Sequence, residues 1–132
     1  MPEGKLLATL RTLCESDIQF IVVGGLAAVL NGAPVPTYDV ALVYSREQAN
    51  VDRINLLTRY GPVDLLATIG QNLRYSDLLP HSTEMVIGEG IGVRVLDLET
   101  LISIKEQLAT EKDLAVLPIL RQTLREMKKK LL

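Results

Sequence analysis

Apolar residues recur at helical spacing near both ends of the chain, with charged residues between them. Such spacing predicts a first helix over residues 3–16, which carries its apolar stripe on one face. The same pattern predicts a helix over residues 98–109, with Asp97 as its N-cap. A last helix is predicted over residues 111–130, and Pro118 inside it predicts a kink or a break.

The stretch from residue 18 to residue 44 changes from helical spacing to strand-like patterns. Residues 18–23 form a continuous apolar run, which predicts a strand covered on both faces. The pair Gly24-Gly25 then predicts a tight turn into a short helix over residues 26–31. Alternation over residues 37–44 predicts a second strand, in which Asp39 and Ala41 share one face.

The remaining pattern adds one helix and three strands. A helix is predicted over residues 46–59, followed by a strand over 63–69 in which Asp64, Leu66 and Thr68 share a face. Two short runs, 84–87 and 93–96, predict a hairpin around a glycine-rich turn. About five strands mixed with helices predict an α/β or α+β domain with a small mixed sheet. The length of 132 residues predicts one domain over 1–132.

Composition narrows the classes of protein that fit. A net charge of -2 argues against a general nucleic-acid surface, and no apolar run is long enough to cross a membrane. A single cysteine, Cys14, excludes an internal disulfide and favours a reducing compartment, so we expect a cytoplasmic protein. We interpret Cys14 as a small core residue. The high apolar fraction, 48%, favours self-association, so we expect a homo-oligomer.

Candidate chemistry concentrates between Gly24 and Asp39. The glycine pair lacks the following Lys-Ser/Thr of a P-loop and the third glycine of a dinucleotide fingerprint. Helix N-terminal amides nevertheless bind phosphate, and a carboxylate binds Mg²⁺. Together they predict a site for a metal-bound polyphosphate. The lone histidine, His81, has no partner at ligand spacing and predicts no metal site.

Several segments, in chain order, match a known family pattern. They begin with the residues from Gly24 to Gly32 and with Thr37-Tyr38-Asp39, continue through 61–66, 75–78 and 93–105, and end with Lys112-Asp113-Leu114. In these segments the chain resembles the minimal nucleotidyltransferases of the DNA polymerase β superfamily. More narrowly, it is similar to small bacterial proteins related to AbiEii toxins.

The resemblance implies transfer of a nucleoside monophosphate from an NTP to a hydroxyl acceptor, with Mg²⁺ held by carboxylates. It assigns Asp39 and Asp64 as catalytic and metal-binding residues. The resemblance also implies that five residues contact the nucleotide: Gly24, Gly25, Thr37, Lys105 and Lys112. From the residues alone, Asp64 also fits a turn, Lys105 fits an apolar helix face along which its stem would lie, and Lys112 fits an ordinary surface.

One position departs from the family pattern. The second metal-binding carboxylate of the family falls on Ala41, whose methyl group cannot bind a metal. Two functions are therefore expected from the sequence. One is a nucleotidyltransferase whose activity is weakened or lost. The other is an inactive nucleotide-binding or protein-interaction module, similar to one partner of a toxin–antitoxin pair.

Overall fold

Helices and strands alternate over the first half of the described chain. The computed structural model describes residues 5–37, 40–56, 63–88 and 90–131. The helices within these ranges are α1 (Lys5–Glu15), α2 (Gly24–Leu30), α3 (Gln48–Leu56), α4 (Tyr75–Leu78), α5 (Leu98–Leu108) and α6 (Glu111–Lys130). The strands are β1 (Phe20–Val23), β2 (Val40–Tyr44), β3 (Val63–Leu66), β4 (Thr68–Ile69), β5 (Leu73–Arg74), β6 (Ser82–Val86) and β7 (Gly92–Leu96). A short 3-10 helix, Leu79–His81, leads into β6.

A five-stranded mixed sheet in the order β3-β2-β1-β7-β6 lies at the centre of the fold. Strand β1 pairs antiparallel with β2 and parallel with β7. Strand β3 adds to β2 in parallel, and β6 forms an antiparallel hairpin with β7. The predicted mixed α and β class, with about five strands and a hairpin over 84–96, is confirmed.

The core forms where helices cover β1 and its neighbours. All four residues of β1 are buried, as expected for a strand covered on both faces. Helix α2 packs on β1 and β2, and α5 packs along α6. Leu26 of α2, Leu101 of α5 and Leu120 of α6 are each at most 3% exposed, so one continuous core joins these helices.

The double glycine lies inside helix α2, whereas the sequence predicted that it would precede the helix. Gly24 is the first helical residue, and its φ of 65° lies in the left-handed region that glycine adopts without strain. This conformation lets the chain leave β1 and enter the helix without an intervening loop. A Cβ on Gly25 would lie 3.2 Å from Thr37 Oγ1, so the absence of a side chain permits that close approach.

The single strand predicted over residues 63–69 is wrong. Strand β3 ends at Leu66, and after a bend at Ala67 the chain enters β4, which pairs with β5 in a separate two-stranded sheet. Left-handed residues at Gly70 and Asn72 reverse the chain between β4 and β5. Thr68 therefore belongs to a different sheet from Asp64 and Leu66, and the predicted shared face does not include it.

Helix α6 runs through Pro118 as one element, so of the predicted kink or break the break is wrong, and the kink stays a prediction. Proline removes the hydrogen bond to the carbonyl four residues earlier, which belongs to Leu114. Both Leu114 and Pro118 are exposed, so water can satisfy that carbonyl and the helix can continue. The predicted N-cap of α5 is confirmed, because the Asp97 side chain accepts a hydrogen bond from the Thr100 amide at 2.8 Å.

Several predicted boundaries shift or fall outside the described residues. Strand β1 begins at Phe20, two residues later than predicted, and β2 is described from Val40. The second strand was predicted to begin at Thr37, but Thr37 lies in the loop before β2, so that boundary is wrong. Tyr38 and Asp39 lie outside the described residues, as does the predicted end of α3 near residue 59. Within the described ranges, no helix combines the length and apolar character that a membrane crossing needs.

Candidate functional site

A cleft of about 420 Å³ opens beside the first turn of α2. We call it the lysine cleft, after two of its lining residues. Its lining comprises Gly25, Ala28, Val35, Pro36, Thr37, Ala41, Lys105, Lys112, Val116 and Leu120. The cleft is thus formed by α2, the loop before β2, β2 itself, α5 and α6.

The structure brings together four of the residues that the resemblance assigned to the nucleotide. Gly25 comes from the first turn of α2 and Thr37 from the loop that follows it. Lys105 comes from the last turn of α5 and Lys112 from the first turn of α6. Because α6 begins three residues after α5 ends, the two helix termini meet and bring both lysines to one hollow.

Gly24 lies behind this lining. A Cβ on Gly24 would lie 3.5 Å from the Ala41 Cβ, an ordinary van der Waals contact. Gly24 is therefore required by its backbone angle rather than by space, and Gly25 by its approach to Thr37. The two glycines do different work in placing the cleft wall.

Of the two predicted catalytic carboxylates, the structure describes Asp64, whereas Asp39 lies outside the described residues. Asp64 is exposed on β3 and is paired in register with Ala41, so their side chains leave the sheet on the same face. Asp64 is not part of the cleft lining, although its neighbour Ala41 is. A methyl group thus occupies the wall of the cleft beside the one described carboxylate that the resemblance assigned.

Lys105 forms an ion pair with Asp113 at the N-terminus of α6. Its Nζ lies 3.2 Å from Asp113 Oδ1, and the two side chains are 20% and 14% exposed. The other oxygen, Asp113 Oδ2, accepts a hydrogen bond from the Thr110 hydroxyl at 2.6 Å. The hydrogen bond from Thr110 lowers the pKa of Asp113 most, and that from Lys105 lowers it further, so the pKa lies below its ordinary value.

The rest of the lining is aliphatic. Val35 and Pro36 lie on one side, and Val116 and Leu120 of α6 on the other. Apolar walls combined with a few convergent polar groups are typical of small-molecule sites. Two ammonium groups suit an oxyanion, and the aliphatic walls suit a flat apolar group attached to it.

The described residues do not fit a pair of magnesium ions. Magnesium prefers near-octahedral oxygen ligands, and two-metal sites use several carboxylates. Asp64 is the only carboxylate that the resemblance assigned within the described residues, and Ala41 offers no oxygen from its side chain. In the described ranges, no group of three or more His, Cys, Asp or Glu side chains is arranged to hold a metal.

Other hollows carry less of the expected chemistry. One of them, about 570 Å³ and so larger than the lysine cleft, runs along α6, and we call it the α6 groove. Its lining comprises Asn31, Gly32, Pro34, Pro118, Ile119, Gln122, Thr123, Glu126, Met127 and Lys130. Cys14 lines a separate hollow, where its thiol lies 3.6 Å from the Gly92 carbonyl oxygen. Burial, together with the nearby Glu15 carboxylate, raises the pKa of the Cys14 thiol. Cys14 was interpreted as a small core residue, and its side chain is partly buried and packs against the core from its edge.

Sequence reasoning missed the role of Asp113 and the aliphatic walls. Thr110-x-x-Asp113 has the spacing of a capping box, and that signal predicts both the start of α6 and the orientation of Asp113. The pairing of Asp113 with Lys105 joins residues that lie eight positions apart on two different helices, and it has no local signal. Val116 and Leu120 follow helical spacing, but their position in a cleft depends on how α5 packs along α6.

Comparison with models of known protein families found no match, and comparison with curated protein sequences found none either.

Proposed function

We propose that the chain is a nucleotide-binding protein of the nucleotidyltransferase type, with the lysine cleft as its NTP site. Transfer of a nucleoside monophosphate to a hydroxyl acceptor is slow or absent because Ala41 replaces a metal-binding carboxylate. The observation that carries the proposal is the convergence of Gly25, Thr37, Lys105 and Lys112 on one hollow.

The cleft chemistry supports nucleotide binding more strongly than nucleotide transfer. The ammonium groups of Lys105 and Lys112 suit phosphate oxygens, and charge-assisted hydrogen bonds are the stronger kind. Thr37 adds a hydroxyl close to the backbone of Gly25. The aliphatic walls suit a base, since they can pack on either face of any nucleobase without reading its edge.

Magnesium has a secondary part in this proposal. Asp64 and Asp39 remain the residues that would hold a single ion, which supplies charge neutralisation to the phosphates when bound. We therefore expect Mg²⁺ to strengthen binding only modestly, since the lysines already supply positive charge. The residues that line the lysine cleft then act by binding and orienting the nucleotide.

Titration calorimetry with ATP, GTP, CTP and UTP, each with Mg²⁺ and with EDTA, tests the proposal. We expect binding of all four nucleotides at micromolar to millimolar concentration. We also expect Asp39→Ala to remove whatever gain Mg²⁺ provides. The proposal is wrong if no nucleotide binds at millimolar concentration. Incubation with radiolabelled NTP gives the second readout, for which we expect little or no transfer.

A second candidate function is that of a protein-interaction module that forms homo-oligomers. The apolar stripe of α6 passes from Leu120, which is fully buried, to Met127 at 36% exposure, and Leu131 directly after the helix is 85% exposed. The seven-residue spacing puts Leu120 and Met127 on one helix face. Sedimentation velocity tests this candidate: self-association that Met127→Glu abolishes supports it, and a monomer at high concentration contradicts it.

A further inference from the structure

Within the lysine cleft, one of the two lysines already has an anionic partner. Lys105 Nζ lies 3.2 Å from Asp113 Oδ1, and both side chains are largely buried. Lys112, by contrast, is exposed and has no hydrogen-bond or ion-pair partner among the residues that the structure describes. The two lysines are therefore not equivalent toward an incoming anion.

The Asp113 carboxylate is fixed in place by the start of α6. Its Oδ2 accepts hydrogen bonds from the Thr110 hydroxyl at 2.6 Å and the Thr110 amide at 3.3 Å. In return, the Asp113 amide donates to Thr110 Oγ1 at 3.1 Å. This reciprocal capping box orients Oδ1 toward Lys105, so the ion pair does not depend on two flexible side chains meeting by chance.

We propose that the Asp113 carboxylate competes with the ligand's anionic group for Lys105, and that this competition sets the affinity of the cleft for phosphate. This inference rests on the proposed nucleotide site. An ammonium group has three donors, so Lys105 can contact carboxylate and phosphate together. The carboxylate charge nevertheless opposes a second anion at that distance and reduces the net charge of Lys105, Lys112 and Asp113 to a single positive charge.

The test compares Asp113→Asn with the unmodified chain in titrations with inorganic pyrophosphate at low ionic strength and with EDTA. Asparagine keeps an oxygen that can accept the Thr110 bonds but removes the charge. We expect pyrophosphate to bind about three- to fivefold more tightly to Asp113→Asn, a size typical of a partly exposed ion pair. Glu111→Gln is the matched control. It removes one exposed carboxylate from the same helical turn and should change the affinity less than twofold, by about the size of a screened surface charge.

A double-mutant cycle separates competition at Lys105 from a merely structural role. If Asp113 acts through Lys105, its substitution should give no gain in a Lys105→Gln background. A structural role would instead lower the melting temperature and weaken binding in both backgrounds. Unchanged or weaker pyrophosphate binding by Asp113→Asn therefore overturns the inference. So does a gain that persists in the Lys105→Gln background.

The same titrations distinguish failure of this inference from failure of the proposed function. If the unmodified chain binds ATP and Asp113→Asn shows no gain, the nucleotide site stands and the competitor role is wrong. If neither chain binds ATP or pyrophosphate, both proposals fail. Binding that appears only after the substitution supports both, because removal of the competitor would then have exposed the site.

Discussion

Two hollows border helix α6, and the smaller one holds the expected chemistry. The α6 groove, about 570 Å³, is lined largely by apolar groups such as Pro118, Ile119 and Met127. The lysine cleft, about 420 Å³, contains Lys105 and Lys112. Volume alone would point to the groove. The residues that the resemblance assigned to the nucleotide converge on the smaller hollow, so volume and expected chemistry rank the two hollows differently.

The two hollows differ because of how many elements build them. The groove is lined by α6 and by the segment around Asn31 and Pro34 that follows α2. The cleft draws on the sheet and three helices, so its polar groups approach from several directions. Such convergence is what orients a ligand, whereas a groove beside one helix mainly offers apolar area.

The largest expected effect comes from Leu120, which lines the cleft and is fully buried in the core. Leu120→Ala should lower the free energy of unfolding by about 3 kcal/mol, since it leaves a cavity between α6 and the core. Ile119→Ala is the matched control on the groove side, where the side chain is 38% exposed, and should cost about 1 kcal/mol or less. Urea denaturation measures both. Equal losses would contradict the view that the core lies on the cleft side of α6.

Gly24 tests how the cleft wall is built. Gly24→Ala places a side chain at φ 65° and should destabilise the fold by about 1–2 kcal/mol, through backbone strain. Gly25→Ala has a different expected effect. Its Cβ would lie 3.2 Å from Thr37 Oγ1, so it should weaken nucleotide binding more than it lowers stability. Thermal melts and ATP titrations of both variants check this, and the reverse ranking would contradict the assigned roles.

A lysine at each end of α6 gives a direct comparison of the two hollows. Lys112→Gln removes a cleft ammonium group and should weaken ATP binding about tenfold. Lys130→Gln removes a groove ammonium group from the same helix and should leave the affinity unchanged within about twofold. Calorimetry at fixed ionic strength measures both. Equal weakening by the two variants would mean that the loss of affinity comes from the change in net charge and not from a contact between Lys112 and the nucleotide.

Replacing Ala41 with a carboxylate tests whether this one position limits the effect of Mg²⁺ on nucleotide binding. Ala41→Asp would set a second carboxylate in register with Asp64 on the adjacent strand. We expect Mg²⁺ then to tighten ATP binding about threefold more than it does for the unmodified chain. Ala41→Asn, with similar size and no charge, is the control. A variant in which Mg²⁺ still has no added effect would mean that the cleft lacks more than this one ligand.

The smallest expected effect is a pH dependence of stability that comes from Asp113. Its pKa is lowered in the folded state, so its contribution to stability is fully present above the ordinary carboxyl pKa of 3.8. The contribution is lost as pH falls below that value through the lowered folded pKa. Melting temperatures measured from about pH 5 to pH 2 should therefore decline less steeply for Asp113→Asn. Identical slopes would contradict a charged Asp113 in the cap.

Local patterns predicted much of this fold, and long-range contacts limited the rest. Helix α5 with its Asp97 cap and the β6–β7 hairpin depend on neighbouring residues, which the sequence displays directly. The end of β3 at Leu66 depends instead on pairing between β4 and β5. Residues 63–69 contain no glycine or proline that would mark a break, so nothing in the sequence indicated the bend at Ala67.

The candidate site divides in the same way. The resemblance selected Gly25, Thr37, Lys105 and Lys112, which the structure brings into one cleft. It also selected Asp64, which lies beside the cleft and not in its lining, and Asp39, which lies outside the described residues. The pairing of Lys105 with Asp113 could not be predicted, because it depends on the angle at which α6 leaves α5.

Amide chemical shifts during an ATP titration report where the nucleotide binds without any substitution in the chain. We expect saturable shifts for Gly25, Ala41 and Val116 in the lysine cleft, with little change for Thr123 and Met127 in the α6 groove. Shifts confined to the groove, or no saturable shifts at millimolar ATP, would contradict a nucleotide site in the lysine cleft.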